Sequence, residues 1–373
     1  MNQQTLVEHI HAAATPLVLS ITGGGSGAIA ALLEVPGASA TVLEAAVPYS
    51  AAALQQWLGG PVDHYCSERT ARAMAMAAFE RARRLSDADP RTIRGIGATA
   101  SLVSTRPKRG PHRVHVAWQS AARTVVVSCE LQKGARMRAD EEHIATQLVL
   151  NAAAESCGLD AALQVAADAD FITRRDQRAA PSWTELHLGQ RTHIAIPERS
   201  SVNANETPAV LFPGAFNPIH SAHRRMAQIA AERLGQPVTF ELSITNVDKP
   251  PLDFIEIADR LERLAGERVL LTDAPQFVEK ARITPGCTFV VGVDTIVRIG
   301  ESKYYDAGDL QRDAAIAAID AAGCRFLVFG RAVQGTFHTL SNGNLPDRLR
   351  RLCDEVPESV FREDISSTEL RGV

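Results

Sequence analysis

Aromatic side chains make up only 5% of the 373 residues, while alanine is abundant. Cores built on this composition are expected to pack small aliphatic side chains. The six cysteines, Cys66, Cys129, Cys157, Cys287, Cys324 and Cys353, are scattered and form no CxxC pair. That pattern reads as reduced thiols in a cytoplasmic protein. No run of about 18 apolar residues occurs, so no membrane span is expected. The start, MNQQTLVEHIHAAATP, lacks the basic and continuous apolar regions of a signal peptide. Positive charge is in short supply too, with 39 Lys and Arg against 43 Asp and Glu and a net charge of -4. That balance gives no support for a general nucleic-acid binder, and any affinity for phosphate must come from local clusters. Internal repeats, long low-complexity tracts and a GxGxxG dinucleotide fingerprint are all missing.

What is present is two stretches of mixed helix and strand signals around a polar middle. Residues 1–160 hold an apolar run at Pro16–Ile21, the glycine cluster TGGGSG at 22–27 and a small-residue helix, AIAALLEV. A helix is predicted over Glu68–Leu85. HRVHVAW (112–118) and ARTVVVSCEL (122–131) read as neighbouring antiparallel strands, and a long helix over Asp140–Cys157 closes the unit. Residues 161–206 are polar and turn-rich around one brief apolar run, HIAI, and are expected to be a connector of modest structure. From 207 to 373 apolar runs at PAVLF, VTFELSI, RVLL, TFVVGVD and RFLVFG alternate with helix-compatible segments. Strands alternating with helices predict an α/β fold with a doubly wound, Rossmann-like parallel sheet. Ligands of such sheets sit beyond the carboxyl ends of the strands. Gly214–His223, Ser243–Lys249, Gly292–Asp294 and Gly330–Arg331 then share one rim.

The densest chemistry lies in GAFNPIHSAH, residues 214–223. Gly214 allows a tight turn, Pro218 suits a loop entering a helix, and His220 and His223 fall in the first helical turn. Free N–H groups and the positive end of the helix dipole make that place a natural seat for phosphate. Two histidines three apart, without a third ligand, fall short of a zinc motif, so no resident metal is assigned. Near the end, DISSTELR (364–371) puts Ser366, Ser367, Thr368 and Arg371 at a second helix start. That pattern is also a capping signature, and it equally makes an anion seat.

The two motifs on this α/β pattern resemble the nucleotidylyltransferase superfamily over roughly 208–373. GAFNPIHSAH is similar to its GxFxPxHxxH element and DISSTELR to its ISSTxxR element. By that resemblance, His220 and His223 contact the α and β phosphates of an incoming nucleotide, and Ser366, Ser367, Thr368 and Arg371 serve the β and γ phosphates. His220, His223 and Arg371 are then the catalytic candidates. Gly214, Ala215, Phe216, Asn217, Gly292, Asp294, Gly330 and Arg331 complete the nucleotide site. GVDTIVRI and VFGR look like the corresponding segments of nicotinate or nicotinamide mononucleotide adenylyltransferases, with Asn246 and Lys249 facing the acceptor. The resemblance implies ATP or CTP with Mg²⁺, a phosphorylated acceptor such as a pyridine mononucleotide, and release of pyrophosphate. A cytidylyltransferase, another adenylyltransferase, and a non-catalytic nucleotide sensor or scaffold remain open.

LSITGGGSG (19–27) with VPYSAAALQQWLG (47–59) resembles the CinA C-terminal domain family, which includes nicotinamide mononucleotide deamidases, over about residues 5–158. Ser20 and Tyr49 match that family's serine and tyrosine. Leu19 stands where the family has glutamate, and Leu54 where it has the lysine that activates the serine. A serine without an adjacent base is a poor nucleophile, so this half is expected to be a vestigial deamidase with a ligand-binding or assembly role. Its loop STRPKRGPHR (104–113) gathers Arg106, Lys108, Arg109 and Arg113, either a solvated face or a seat for nucleotide phosphate. The resemblance also implies a homo-oligomer.

Overall fold

The structure, a computed structural model, describes all residues except 106–107, 166–170, 198–206, 248, 334–335, 343–344 and 363–373. The chain divides into two compact units. One comprises Met1–Leu188 with Asp248–Ala258, the other Gly189–Val247 with Asp259–Val373.

The first unit contains α1 (Gln3–Ala12), β1 (Leu17–Thr22), α2 (Gly27–Glu34), β2 (Val42–Ala46), α3 (Ala51–Trp57) and α4 (Glu68–Leu85). It continues through β3 (Arg94–Ser101), β4 (His112–Ser120), β5 (Arg123–Leu131), α5 (Arg138–Ser156), β6 (Phe171–Arg178) and α6 (Pro181–His187). The sheet order is β2-β1-β3-β4-β5-β6. The first three strands run parallel and the rest antiparallel. α4 forms where the sequence predicts it. Ser67 Oγ accepts from the Thr70 N–H at 3.2 Å, Glu68 sits in the first turn, and Arg83 and Arg84 sit in the last. That placement suits the helix dipole. Ala71, Met74, Ala75, Ala78, Phe79 and Ala82 recur at helical spacing and are buried. The helix lies so close to β3 that a Cβ at Gly95 or Gly97 would come within 2.2–2.3 Å of its backbone.

The segment expected to be a connector of modest structure holds β6, α6 and the strand His193–Ile196. Phe171–Arg178 pairs with β5 along its whole length although nearly every residue is exposed. Apolar alternation is weak there; ladder hydrogen bonds and an ion network hold it instead. Arg174 Nη2 lies 2.6 Å from Glu155 Oε1 and 2.9 Å from Asp176 Oδ2.

The second unit opens with β7 (His193–Ile196), β8 (Val210–Pro213), α7 (Ser221–Leu234), β9 (Val238–Ser243) and α8 (Phe254–Arg263), whose first residues count with the other unit. It proceeds through β10 (Val269–Thr272), α9 (Phe277–Ile283), β11 (Thr288–Gly292), α10 (Val293–Gly300), α11 (Gly308–Ala321) and β12 (Arg325–Phe329). A hairpin of β13 (Arg331–Val333) and β14 (Thr336–His338), then α12 (Asp347–Arg351) and β15 (Cys353–Val356), completes it. The sheet order is β15-β12-β11-β8-β9-β10-β7, parallel except for edge strand β7. The chain builds outward from β8 through β9 and β10, then crosses to the other side of β8 at β11. The crevice beyond the carboxyl ends of β8 and β11 is therefore the switch point at which such sheets bind ligands. Contrary to the expectation from composition, this core is rich in phenylalanine, with Phe240, Phe289, Phe326 and Phe329 almost wholly buried. Most of the phenylalanines fall in this unit; the main core of the first unit uses mainly Ala, Val, Leu and Ile.

Candidate active site

Directly after β8 the chain turns at Gly214, whose N–H donates to Glu241 O at 3.1 Å. A Cβ at this position would stand 2.6 Å from Phe216 Cζ and 2.8 Å from Cε1, so only glycine lets the Phe216 ring fold back across the turn. Phe216 adopts φ 45°, in the left-handed region, and is 2% exposed. Such a backbone costs on the order of 1–3 kcal/mol. Burial of the ring offsets much of that cost, at roughly 1.5–3 kcal/mol for a phenylalanine. The ring packs on Phe212, Phe240 and His223, with centroids 5.4, 5.2 and 5.2 Å away.

His220 is the N-cap of α7 and His223 the third residue of the helix. Their rings lie 3.8 Å apart between centroids at 32°, and the His220 N–H donates to His223 Nδ1 at 3.3 Å. A neutral imidazole that accepts at Nδ1 carries its proton on Nε2. Burial, together with the neighbouring His220, pushes His223 down to about 4. At neutral pH His223 is thus an uncharged N–H donor at a helix start, suited to phosphate oxygens and poorly suited to a cationic role.

Two residues that motif reading passed over hold this loop. Arg260 Nη1 donates to Ala215 O at 3.0 Å, and Arg263 Nη1 donates to Asn217 Oδ1 at 3.1 Å. The contacts fall on either side of the strained Phe216, so the turn is fixed from both flanks. The two arginines are three apart on α8, the spacing of one helix face. In the sequence they look like ordinary dipole-matched cations of a last turn. Beneath the turn, Glu241 is buried and its Oε1 accepts from Lys280 Nζ at 2.8 Å.

The other predicted positions are distributed as follows. Gly292 is the N-cap of α10, next to β8 in the sheet order through β11. Asp294 pairs with Arg331 at 2.5 Å, both about half exposed, and Gly330 lies between the end of β12 and Arg331, the first residue of β13. Asn246 is exposed after β9. Lys249 counts with the first unit, where its side chain lies beside Gly60. Ser366, Ser367, Thr368 and Arg371 lie outside the described residues.

In the first unit Ser20 is fully buried on β1, and its Oγ has no hydrogen-bond partner among the described residues. Tyr49 is 69% exposed. Lys108 of the basic loop donates to Ser101 Oγ at 3.2 Å and Leu102 O at 3.0 Å. The N–H groups of the glycine turn are occupied from within, since Gly25 and Ser26 donate to Glu142 Oε1 at 2.7 and 3.1 Å. Among the described residues no helix is long and apolar enough to cross a membrane.

Residues 211–373 match the Cytidylyltransferase-like family model. A curated relative, described as a putative nicotinamide mononucleotide adenylyltransferase of Schizosaccharomyces pombe, is 29% identical over 193 residues, 48% of this chain and 74% of its own length. Among solved structures, the competence/damage inducible protein CihA of Agrobacterium tumefaciens matches at 22% identity and a TM-score of 0.31, over 40% of this chain and 91% of its own. A competence-damaged protein (CinA) superfamily member of Escherichia coli matches at 16% identity and a TM-score of 0.30, over 41% and 85%.

Proposed function

We propose that the cytidylyltransferase-like domain transfers an adenylyl group from ATP to nicotinate or nicotinamide mononucleotide and releases pyrophosphate. The observation that carries the reading is the neutral His223 beside His220 at the start of α7, on the switch-point crevice. An acceptor phosphate oxygen attacks the α-phosphorus in line, and no covalent intermediate on the protein is needed. The protein's share is positioning and donation of N–H groups to oxygens whose charge rises. Mg²⁺ in this reading would come with the nucleotide and would supply neutralisation of the triphosphate charge. The name of the fission-yeast relative supports the pyridine mononucleotide as acceptor.

The test is to incubate the protein with Mg²⁺, ATP or CTP, and each mononucleotide, and to measure pyrophosphate and dinucleotide. Turnover with ATP and a pyridine mononucleotide is the expected result. Turnover with CTP alone would move the assignment to cytidylyl transfer, and nucleotide binding without turnover for any pair would favour the sensor reading. For the first unit we assign a binding or assembly role. Ser20 has no base on its hydroxyl and Glu142 fills the glycine turn. Amide hydrolysis abolished by Ser20→Ala would overturn that assignment.

A further inference from the structure

On the face of the first sheet that carries α4, two rows of polar side chains cross β3, β4 and β5. Strand pairing sets Thr99, His115 and Ser128 in one row, and Ser101, Arg113 and Glu130 in the next. The two-residue repeat of a strand puts both rows on one face. The row before them contains Gly97, Ala117 and Val126, and α4 lies on it through Ala71 and Ala75. The polar rows therefore emerge at the start of that helix. The chain leading into α4 lies against them: Thr99 Oγ1 donates to Tyr65 O at 2.9 Å, and Cys66 Sγ lies 3.9 Å from Arg113 O.

Within this cluster the donors outnumber the acceptors. His115 Nδ1 and Ser128 Oγ are 2.7 Å apart, which leaves the far nitrogen of the ring, Nε2, buried without a partner among the described residues. Arg113 Nε, two positions along the same strand face, is likewise buried and unpartnered. Lys108 adds a second cation through its bond to Ser101 Oγ. Glu130 shares the Arg113 row but is exposed, and Arg113 forms no ion pair with any carboxylate among the described residues. Arg113 as a whole is only partly buried; what is left open is a partner for its Nε and for His115 Nε2, which a buried water or a small anion would supply.

We propose that this cluster binds a small oxyanion, either a carboxylate or the phosphate of a phosphomonoester. Arg113 Nε–H and His115 Nε2–H are its two central donors. Ser128, by donating to Nδ1, fixes the imidazole tautomer that presents Nε2–H. The start of α4 adds the positive end of an 18-residue helix. The site is separate from the histidine pair of the second unit and does not depend on the transferase reading.

The experiment uses the full-length protein with His220→Ala and His223→Ala, so that the other anion seat is silenced. It is titrated with inorganic phosphate and, separately, with acetate, by calorimetry and by the imidazole NMR signal of His115, assigned from its loss in His115→Gln. At least one anion should bind and move that signal, and the stronger of the two identifies the source. Arg113→Gln should weaken binding by about tenfold or more, the scale of one charge-assisted contact, and Arg113→Lys should restore part of it. Should Arg113→Gln fail to fold, the His115 signal in the Arg113-intact protein still decides. An unmoved signal with both anions would overturn the proposal in favour of a water site. Binding that is indifferent to both Arg113→Gln and His115→Gln would overturn it as well.

Discussion

Replacing Gly214 by alanine tests whether the aromatic turn holds the histidine pair. The backbone there is not left-handed, so the effect of one added methyl is steric. Its Cβ would stand 2.6, 2.8 and 3.0 Å from Phe216 Cζ, Cε1 and Cε2. Carbon atoms rest at about 3.5–4.0 Å, so the ring must retreat by about 1 Å. It has no open side: Phe212, Phe240 and His223 surround it at centroid distances of 5.2–5.4 Å. Overpacking of that kind costs about 1–3 kcal/mol. A shift passed on to His223 costs turnover as well, since a misplacement of about 1 Å at a reacting centre can lose on the order of 10²-fold. Urea denaturation and pyrophosphate release measure the two effects on the same preparation. Gly110→Ala, in the first unit, is the control, because a Cβ there meets nothing within 4 Å. Adding Phe216→Leu should recover part of the stability lost by Gly214→Ala, a coupling expected of residues in contact. If Gly214→Ala matched wild type in both measurements, the claim that the turn positions His223 through Phe216 would be wrong.

His223→Ala should lower turnover by about 10²–10³-fold, the scale for one charge-stabilising donor, with a near-normal rate in steady-state assays removing it from the site. Arg263→Gln, at the end of α8, should leave the thermal midpoint nearly unchanged and reduce kcat by about tenfold through a looser Asn217; recovery in Arg263→Lys distinguishes positioning from folding damage. His187 is buried between Phe79 and Phe254, at 5.5 and 5.7 Å, and burial plus Arg83 push it down to about 4, with Glu80 3.5 Å away. Its folded value lies below the unfolded one of about 6.5, so the unfolded chain takes up the proton first. The stabilisation is complete above pH 6.5 and is lost as pH falls towards 4, by about 3 kcal/mol. Urea denaturation at pH 7 and pH 4.5 should show that slope diminished in His187→Phe; an equal slope in both proteins would exclude His187 as its source.

Much of the local structure was legible in the chain because its causes are local. The helix over Glu68–Leu85 and the apolar runs that become β8 to β12 were both predicted within their own segments. The histidine pair was legible for the same reason, since a glycine turn, a proline and a helix start lie within ten residues. The strand Phe171–Arg178 was not, because a polar edge strand owes its shape to the neighbour it pairs with.

Strand order likewise belongs to the tertiary structure. The runs themselves do not say that β11 returns to the far side of β8, yet that crossing places Gly292 near Gly214 along the rim. Contacts between residues distant in sequence shape both candidate sites. Arg260 and Arg263 reach the GAFN turn from 45 and 46 residues away, and Glu142 reaches the glycine turn from 117. Arg113 and His115 become a candidate site only when β5 brings Ser128 alongside. Short-range preferences set which segments turn, coil or extend and which residue types sit at the turns, because they act over a few bonds. Which side chains share one desolvated space was left to the packing of the sheets and helices.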